Sequence, residues 1–263
     1  MTLRYSSSAP LLRYPVVLIH GLGAKKRLGP LVYFRTLENW LKQAGNTVYV
    51  ANLTSWHAPE YRARELKKQL EEHFPKDSSR LNLVGHSMGG LDARYLASQL
   101  QFAHRIASVT TIGTPHRGSP LGDLILDQMP PAWFHSLEKF AQKLGMSHEG
   151  FRGLSKQSAE LNFNAQVPDA EGVTYFSATT AIPAPALKNA LPLFWLPHSL
   201  IQRIEGDNDG FVSVESAKWG TFICAHRGDH YAQIDHGTTY YSKRFRATDF
   251  YSEIFSRLKS EGF

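Results

Sequence analysis

The segment from Gly85 to Gly89 reads Gly-His-Ser-Met-Gly and fits the pattern G-x-S-x-G. In that pattern a serine lies on a sharp turn between a strand and a helix, with its hydroxyl raised above the sheet as a nucleophile. Glycines at both ends lack the β-carbons that would keep strand and helix apart. An apolar β-rich run precedes the segment and a helical pattern follows it, which is the context this chemistry needs. We therefore predict that Ser87 is a nucleophile, and an ordinary structural turn is the alternative.

A serine nucleophile needs a base to take its proton and backbone amides to stabilise the oxyanion that forms on the substrate. One amide is expected from Met88, directly after the nucleophile, and the other from the loop after the first strand. That loop contains His20-Gly21-Leu22-Gly23. Leu22 is the predicted second donor, because glycines on both sides let its amide turn into the site. His20 could be read as a base, but its position at the end of a strand favours a structural role. His86 is interpreted as a neighbour that shapes the turn.

The acid that orients the base is expected between the serine and the base along the chain. An acidic turn from Glu205 to Gly210 enters an apolar run and is suited to holding a carboxylate at the end of a strand. Asp209 is preferred because it directly precedes Gly210 and the run. Asp207 remains the alternative, with a structural role in the turn if it is not catalytic.

Three histidines lie late enough to be the base. His230 stands in the polar loop Gly228-Asp229-His230-Tyr231, before the last helical segment, and a polar loop suits a ring that shifts slightly between proton transfers. His226 and His236 are interpreted as solvated or structural. His230 is therefore the predicted base.

Short β-rich runs alternate with amphipathic helical stretches, which predicts a mostly parallel central sheet flanked by helices. Together with the serine motif, this pattern predicts an α/β-hydrolase fold in a single domain over residues 1–263. Helices are expected from Leu31 to Leu41, after Pro59, after the serine and at the C-terminal end. The predicted strands are Val16–Ile19, Thr47–Ala51, Leu81–Val84, Ala107–Ile112, Val173–Ala178 and Thr221–Ala225. A short helix is also expected at Ser213–Ala217, between Asp209 and His230.

Two insertions interrupt the alternation. The first, at approximately 118–165, contains an amphipathic stretch with Trp133, Leu137 and Phe140 on one face, and it is expected to form a helical cap or lid. A cap packed permanently on the core is the alternative. The second, at approximately 182–200, carries Phe194 and Trp195, which are candidates for the wall of an acyl pocket or for ordinary packing.

The composition of the chain limits its possible functions further. The chain has 263 residues, of which 42% are hydrophobic and 20% charged, as in a globular domain. Its net charge of +6 comes from scattered basic residues without a nucleic-acid motif, so no nucleic-acid partner is expected.

Neither a transmembrane run nor a signal-peptide pattern is visible. The single cysteine, Cys224, cannot form an internal disulfide. We expect an intracellular protein, either cytoplasmic, mitochondrial or associated with a lipid surface.

Five segments of the chain carry a resemblance to a known family: VVLIHGLG (16–23), LVGHSMGGLDARYL (83–96), TTIGTPHRGSPLGD (110–123), NDGFVS (208–213) and DHYAQI (229–234). Together they resemble the true lipases of the Pseudomonas and Burkholderia type and their fungal triacylglycerol lipase relatives. The resemblance implies hydrolysis of acylglycerols through an acyl-serine intermediate, with transient contact with a lipid interface. It also implies that Ser87, Asp209 and His230 form the catalytic triad and that the amides of Leu22 and Met88 form the oxyanion hole.

Two departures from that family affect the expected cofactors. The secreted bacterial members hold a calcium ion with an aspartate two residues after the histidine and a glutamine four residues further on, and this chain has Ala232 and His236 there. Calcium needs several oxygen ligands, so no structural calcium, no catalytic metal and no other cofactor are expected. The family's disulfide is also missing, which again favours an intracellular enzyme.

Three other functions remain open. An esterase, a thioesterase or an acyltransferase would use the same triad on other acyl groups. A catalytically silent lipid-binding or partner-binding module is disfavoured, because every catalytic position is filled.

Overall fold

A parallel sheet of six strands organises the computed structural model, which describes residues 8–21, 27–28, 31–55, 57–75, 80–127, 155–183, 192–236 and 245–263. The order of the strands is β4-β1-β5-β6-β7-β8, and every neighbouring pair is parallel. A short antiparallel hairpin, β2 with β3, stands apart from the sheet. The strands are β1 Val16–Ile19, β2 Arg27–Leu28, β3 Leu31–Val32, β4 Val48–Val50, β5 Leu81–His86, β6 Ile106–Ile112, β7 Thr174–Ala181 and β8 Thr221–Arg227.

Helices cover both faces of the sheet. Two apolar clusters form the core: one packs α1 and α7 against the sheet, and the other packs α2 and α3 against it. The central strands β1, β5 and β6 are buried at every residue, as expected for a parallel sheet covered on both faces. The helices are α1 Arg35–Gln43, α2 Pro59–His73, α3 Met88–Gln99, α4 Pro120–Asp127, α5 Pro192–Ile204, α6 Val214–Ala217 and α7 Ala247–Ser260.

The predicted α/β-hydrolase architecture is confirmed, but the start of the first helix was predicted wrongly. Leu31 has the apolar spacing of the predicted helix, yet it pairs with Leu28 in the β2–β3 hairpin. Phe34 then takes a left-handed conformation with φ of 58°, so the helix begins only at Arg35. The apolar spacing alone predicts a helix from Leu31, because a spacing pattern does not reveal a short hairpin that precedes the helix.

The two insertions are partly described. Helix α4 lies at the start of the first insertion, and a π-helical turn, Ser158–Asn164, lies near its end. Trp133, Leu137 and Phe140 fall in 128–154, outside the described residues, so the predicted lid stays a prediction. In the second insertion, α5 begins at Pro192 and contains Pro197 within its length.

Candidate active site

Ser87 lies on the turn that joins β5 to α3. Its backbone has φ of 55° and ψ of −130°, a conformation that costs free energy for a residue with a side chain. The turn is held on both sides: the amide of Ser87 donates to the carbonyl of Ile112 at 2.8 Å, and its carbonyl accepts from the hydroxyl of Thr114 at 2.8 Å. Strain that is kept in place by neighbouring strands is characteristic of a functional position.

Close backbone contacts explain why glycines flank the serine. A β-carbon on Gly85 would lie 2.4 Å from the carbonyl oxygen of Gly89, and one on Gly89 would lie 2.4 Å from the carbonyl oxygen of Ile19. A β-carbon on Gly21 would lie 2.8 Å from Cβ of Ser87. The loop after β1 therefore runs directly beside the serine, as the sequence predicts for the oxyanion loop.

The two predicted oxyanion donors are described to different extents. Met88 is the first residue of α3 and is buried. Its amide belongs to the first turn of the helix, where N–H groups lack a partner within the helix. Leu22 lies outside the described residues, but the adjacent Gly21 is described.

Asp209 and His230 meet at a buried hydrogen bond of 2.7 Å between Oδ2 and Nδ1. Asp209 is completely buried, and the amide of His230 donates to its carbonyl at 2.9 Å. A carboxylate only accepts hydrogen bonds, so Nδ1 of His230 carries a proton. In the neutral ring Nε2 then bears the lone pair, which is the state a general base requires.

The carboxylate of Asp209 is held by three further donors. Oδ1 accepts from the amides of Phe211 at 3.0 Å and Val212 at 2.8 Å. Oδ2 accepts from Nε2 of Gln233 at 2.9 Å, and the same amide group donates to the hydroxyl of Thr180 at 2.7 Å. Sequence reasoning missed Gln233, which lies on the short 3₁₀ turn Ala232–Ile234, three residues after His230.

The ring of His230 lies beside the turn that carries the serine. Its centroid is 4.6 Å from that of His86, the residue before Ser87, and Nε2 of His86 donates to the carbonyl of His230 at 3.2 Å. Burial, followed by the proximity of His230, holds the pKa of His86 well below its ordinary value of 6.5. The rings of Phe211 and Tyr231 flank His230, with centroids 5.4 and 6.1 Å away.

The structure separates the other candidates from the base and the acid. Asp207 is exposed, and its carbonyl accepts from the amide of Val214 at 2.8 Å. His226 pairs with Glu253 of α7 at 2.9 Å. The amide of His236 donates to the carbonyl of Tyr231 at 2.8 Å. Of the two aspartates, it is therefore Asp209 that the fold brings to His230.

Six large hydrophobic side chains are exposed among the described residues, and three of them lie on α5 or on the π-helical turn. Trp195 of α5 is 51% exposed, Ile204 at the end of the same helix is 56% exposed, and Leu161 of the π-helical turn is 66% exposed. Phe194 also lies on α5, but only its backbone is described.

One group of side chains within the described residues has the composition of a metal site. The ligand atoms of Cys224, His226 and Glu253 lie within 4.8 Å of one another. Hydrogen bonds account for this grouping, because His226 pairs with Glu253 at 2.9 Å. Burial, followed by Glu253, raises the pKa of Cys224 to about 12.

Among the helices the structure describes, none has the length and apolar character needed to cross a bilayer.

A serine on a strand-to-helix turn above a parallel sheet, with a buried carboxylate–imidazole pair beside it, defines the α/β-hydrolase class. Solved structures agree with this class. A metagenomic carboxyl esterase superposes with a TM-score of 0.78 at 16% identity, covering 97% of this chain and 78% of that one. A Bacillus licheniformis lipase in its mature form superposes with a TM-score of 0.65 at 22% identity, covering 87% of this chain and 89% of that one.

Sequence relatives define the family. Triacylglycerol lipase 2 of Saccharomyces cerevisiae is 31% identical over 252 residues, covering 88% of this chain and 74% of the yeast protein. A triacylglycerol lipase of Pseudomonas fragi is 27% identical, covering 95% of this chain and 97% of its own length. This chain therefore belongs to the triacylglycerol lipase family of carboxylic ester hydrolases, and the predicted resemblance is confirmed.

Other matches cover only part of the chain. The triacylglycerol lipases of Pseudarthrobacter phenanthrenivorans and Burkholderia plantarii are each 39% identical over 120 residues, which is 44% of this chain and 37% and 33% of theirs. The chain thus matches about a third of the length of these two relatives. A family profile described as palmitoyl protein thioesterase matches residues 15–145.

Proposed function

We propose that the protein is a lipase-type carboxylic ester hydrolase, a triacylglycerol lipase, with Ser87, His230 and Asp209 as its catalytic triad. The observation that carries the proposal is the 2.7 Å contact between Nδ1 of His230 and the buried carboxylate of Asp209, beside the strained turn of Ser87. The names of the yeast and Pseudomonas fragi relatives support the acylglycerol substrate.

In the proposed reaction, Oγ of Ser87 attacks the ester carbonyl carbon while Nε2 of His230 takes the hydroxyl proton. The amides of Met88 and Leu22 stabilise the negative oxygen of the tetrahedral intermediate. When the intermediate collapses, His230 returns the proton to the leaving alcohol, and an acyl-serine remains. Water then attacks the acyl group, again giving its proton to His230, and the carboxylic acid leaves as Ser87 regains its proton. Asp209 keeps the ring in the required tautomer throughout.

The exposed apolar residues of α5 and the π-helical turn support contact with a lipid surface. Trp195, Ile204 and Leu161 expose more than half of their surface, which suits them to an acyl chain or to the edge of a lipid droplet. In the proposed lipase they assist interfacial binding, together with the cap predicted over approximately 118–165.

Hydrolysis of p-nitrophenyl esters with acyl chains from two to eighteen carbons, in solution and as an emulsion, tests this function. We expect activity on long chains that increases at the emulsified interface and is lost in Ser87→Ala. Activity limited to acetyl and butyryl esters would refute the lipase. Full activity in Ser87→Ala would refute the nucleophile.

A thioesterase is the second candidate, because the family profile matching residues 15–145 is described as palmitoyl protein thioesterase. The same nucleophile and base would cleave a thioester, with a thiol in place of the alcohol as leaving group. Parallel rates on palmitoyl-coenzyme A and on the p-nitrophenyl ester of the same acid separate the two functions. A kcat/KM at least tenfold higher on the thioester would favour the thioesterase.

A further inference from the structure

The peptide between His20 and Gly21, at the end of β1, is held at both of its polar groups. The carbonyl of His20 accepts from Nη2 of Arg62 at 2.5 Å. The amide of Gly21 donates to the hydroxyl of Tyr33 at 3.2 Å. Since Gly21 runs beside Ser87, this peptide lies where the oxyanion loop meets the nucleophile.

The ring of His20 holds the next peptide. Nδ1 donates to the carbonyl of Gly21 at 3.0 Å, and Nε2 accepts from the amide of Leu53 at 3.0 Å. These partners determine the tautomer, because a carbonyl only accepts and an amide only donates. The side chain is completely buried, and its burial, followed by the charge of Arg62, lowers the pKa of His20 to about 4. The ring is thus neutral at physiological pH.

A planar trans peptide points its carbonyl and its amide in opposite directions. The carbonyl of Gly21 shares its peptide with the amide of residue 22, the predicted oxyanion donor. We propose that His20 is a positioning residue for the oxyanion hole, because its hydrogen bond to the Gly21 carbonyl determines the direction of the amide in the same peptide. This inference rests on the proposed function. The bond engages only the carbonyl of that peptide.

The support behind this loop is buried and extends to the helix that carries the other predicted donor. Arg62 of α2 and Asp92 of α3 form a completely buried ion pair, with Nη2 2.8 Å from Oδ2. Nη1 of Arg62 also donates to the carbonyl of Thr54 at 2.8 Å. Asp92 lies one turn after Met88 on α3, so Arg62 ties the loop after β1 to the helix that carries the second predicted amide.

The same loop is connected to the base. The hydroxyl of Tyr33 lies 2.6 Å from Nδ1 of His86, whose Nε2 donates to the carbonyl of His230 at 3.2 Å. With Nε2 as donor, Nδ1 of the neutral ring accepts from Tyr33. Three hydrogen bonds therefore join Gly21, through Tyr33 and His86, to the backbone of His230.

The experiment compares His20→Asn with His20→Leu. The two substituted side chains branch alike, but only asparagine has an N–H group near the position of Nδ1. We expect kcat to fall about 10- to 100-fold in His20→Leu with KM changed less than about threefold, since outright loss of a donor costs about 10²- to 10³-fold. His20→Asn should retain most of the activity.

An alkyl boronic acid gives a second readout, because it forms a tetrahedral adduct with the serine and has an oxygen at the oxyanion position. Its inhibition constant should rise in His20→Leu by the factor that kcat/KM loses, and stay near the wild-type value in His20→Asn. A ring that only fills space would lower the melting temperature of both variants without this parallel between inhibitor and substrate.

Tyr33→Phe carries the test if His20→Leu does not fold. It removes the acceptor of the Gly21 amide, and we expect kcat to fall about three- to tenfold with a matching rise in the inhibition constant. Tyr175→Phe is the matched control, because the hydroxyl of Tyr175 also accepts a backbone amide, that of Ala170 at 2.9 Å. Its kinetics should equal those of the wild type.

The outcomes distinguish this inference from the proposed function. Equal losses in His20→Leu and His20→Asn would overturn the positioning role, as would an unchanged inhibition constant in both His20→Leu and Tyr33→Phe. In either case, an inactive Ser87→Ala would leave the proposed triad standing. Full activity in Ser87→Ala would instead refute the proposed function on which the inference rests.

Discussion

Replacing Asp209 with asparagine changes one atom of the site and tests the role of the acid. With its oxygen kept towards the amides of Phe211 and Val212, the new NH₂ group faces Nδ1 of His230 and Nε2 of Gln233. Three donors then meet without an acceptor. His230 relieves one conflict by moving its proton to Nε2, so that Nδ1 accepts from the asparagine.

The size of the effect follows from that tautomer. A ring with its proton on Nε2 has no lone pair there to take the proton of Ser87. The equivalent change in serine proteases lowers kcat about 10⁴-fold, so we expect a similar loss here, about 5.5 kcal/mol in the activation free energy. The buried donor left on Gln233 should also lower the free energy of unfolding by about 1–3 kcal/mol.

Steady-state hydrolysis of a p-nitrophenyl ester gives kcat and KM for this variant, and denaturant unfolding gives its stability. Asp207→Asn is the matched control, because it makes the same change two residues away on an exposed carboxylate. We expect its kcat to stay within about threefold of the wild type. If Asp209→Asn kept kcat within tenfold, or if Asp207→Asn lost more, the assignment of the acid would be refuted.

Three further predictions concern the turn at Ser87, the pH dependence of stability and the expected independence from calcium. Gly89→Ala should lower the free energy of unfolding by about 1–3 kcal/mol and reduce activity, because its β-carbon would lie 2.4 Å from the carbonyl oxygen of Ile19. A denaturant unfolding curve that matches the wild type would contradict this prediction. The pKa of His20 is about 4 in the folded protein, against an ordinary value of 6.5. Between pH 6.5 and pH 4 the unfolded chain therefore binds the proton more strongly than the folded protein, so the free energy of unfolding falls as the pH drops. Relative to His20→Asn, the wild type should lose up to about 3 kcal/mol from pH 6.5 to 4 in unfolding titrations, and parallel curves would rule this out. Excess chelator should leave kcat and the melting temperature unchanged, since Ala232 and His236 offer no side-chain oxygen to calcium; a loss restored by calcium would refute this.

Much of the fold was predictable because its signals are local. Apolar residues recur at the period of a strand or a helix within a few residues, and parallel strands buried on both faces appear as continuous apolar runs. The start of α1 was predicted wrongly, because Leu31 matches the helical spacing but belongs to a hairpin. When the spacing of a residue is compatible with both a strand and a helix, its partners in the fold decide which structure forms. Local spacing does not identify those partners.

The nucleophile motif, the order of the elements and the preference for Asp209 were predictable from the residues alone, since each depends on neighbours within a few positions. The packed fold was needed to show that the Asp209 carboxylate binds His230 and Gln233, and that Arg62 binds the carbonyl of His20. The partners in each of these bonds lie more than twenty residues apart along the chain. These hydrogen bonds join groups as far apart as Arg62 and His20, and both their existence and the protonation state of each ring depend on which groups the packed sheet and helices bring together.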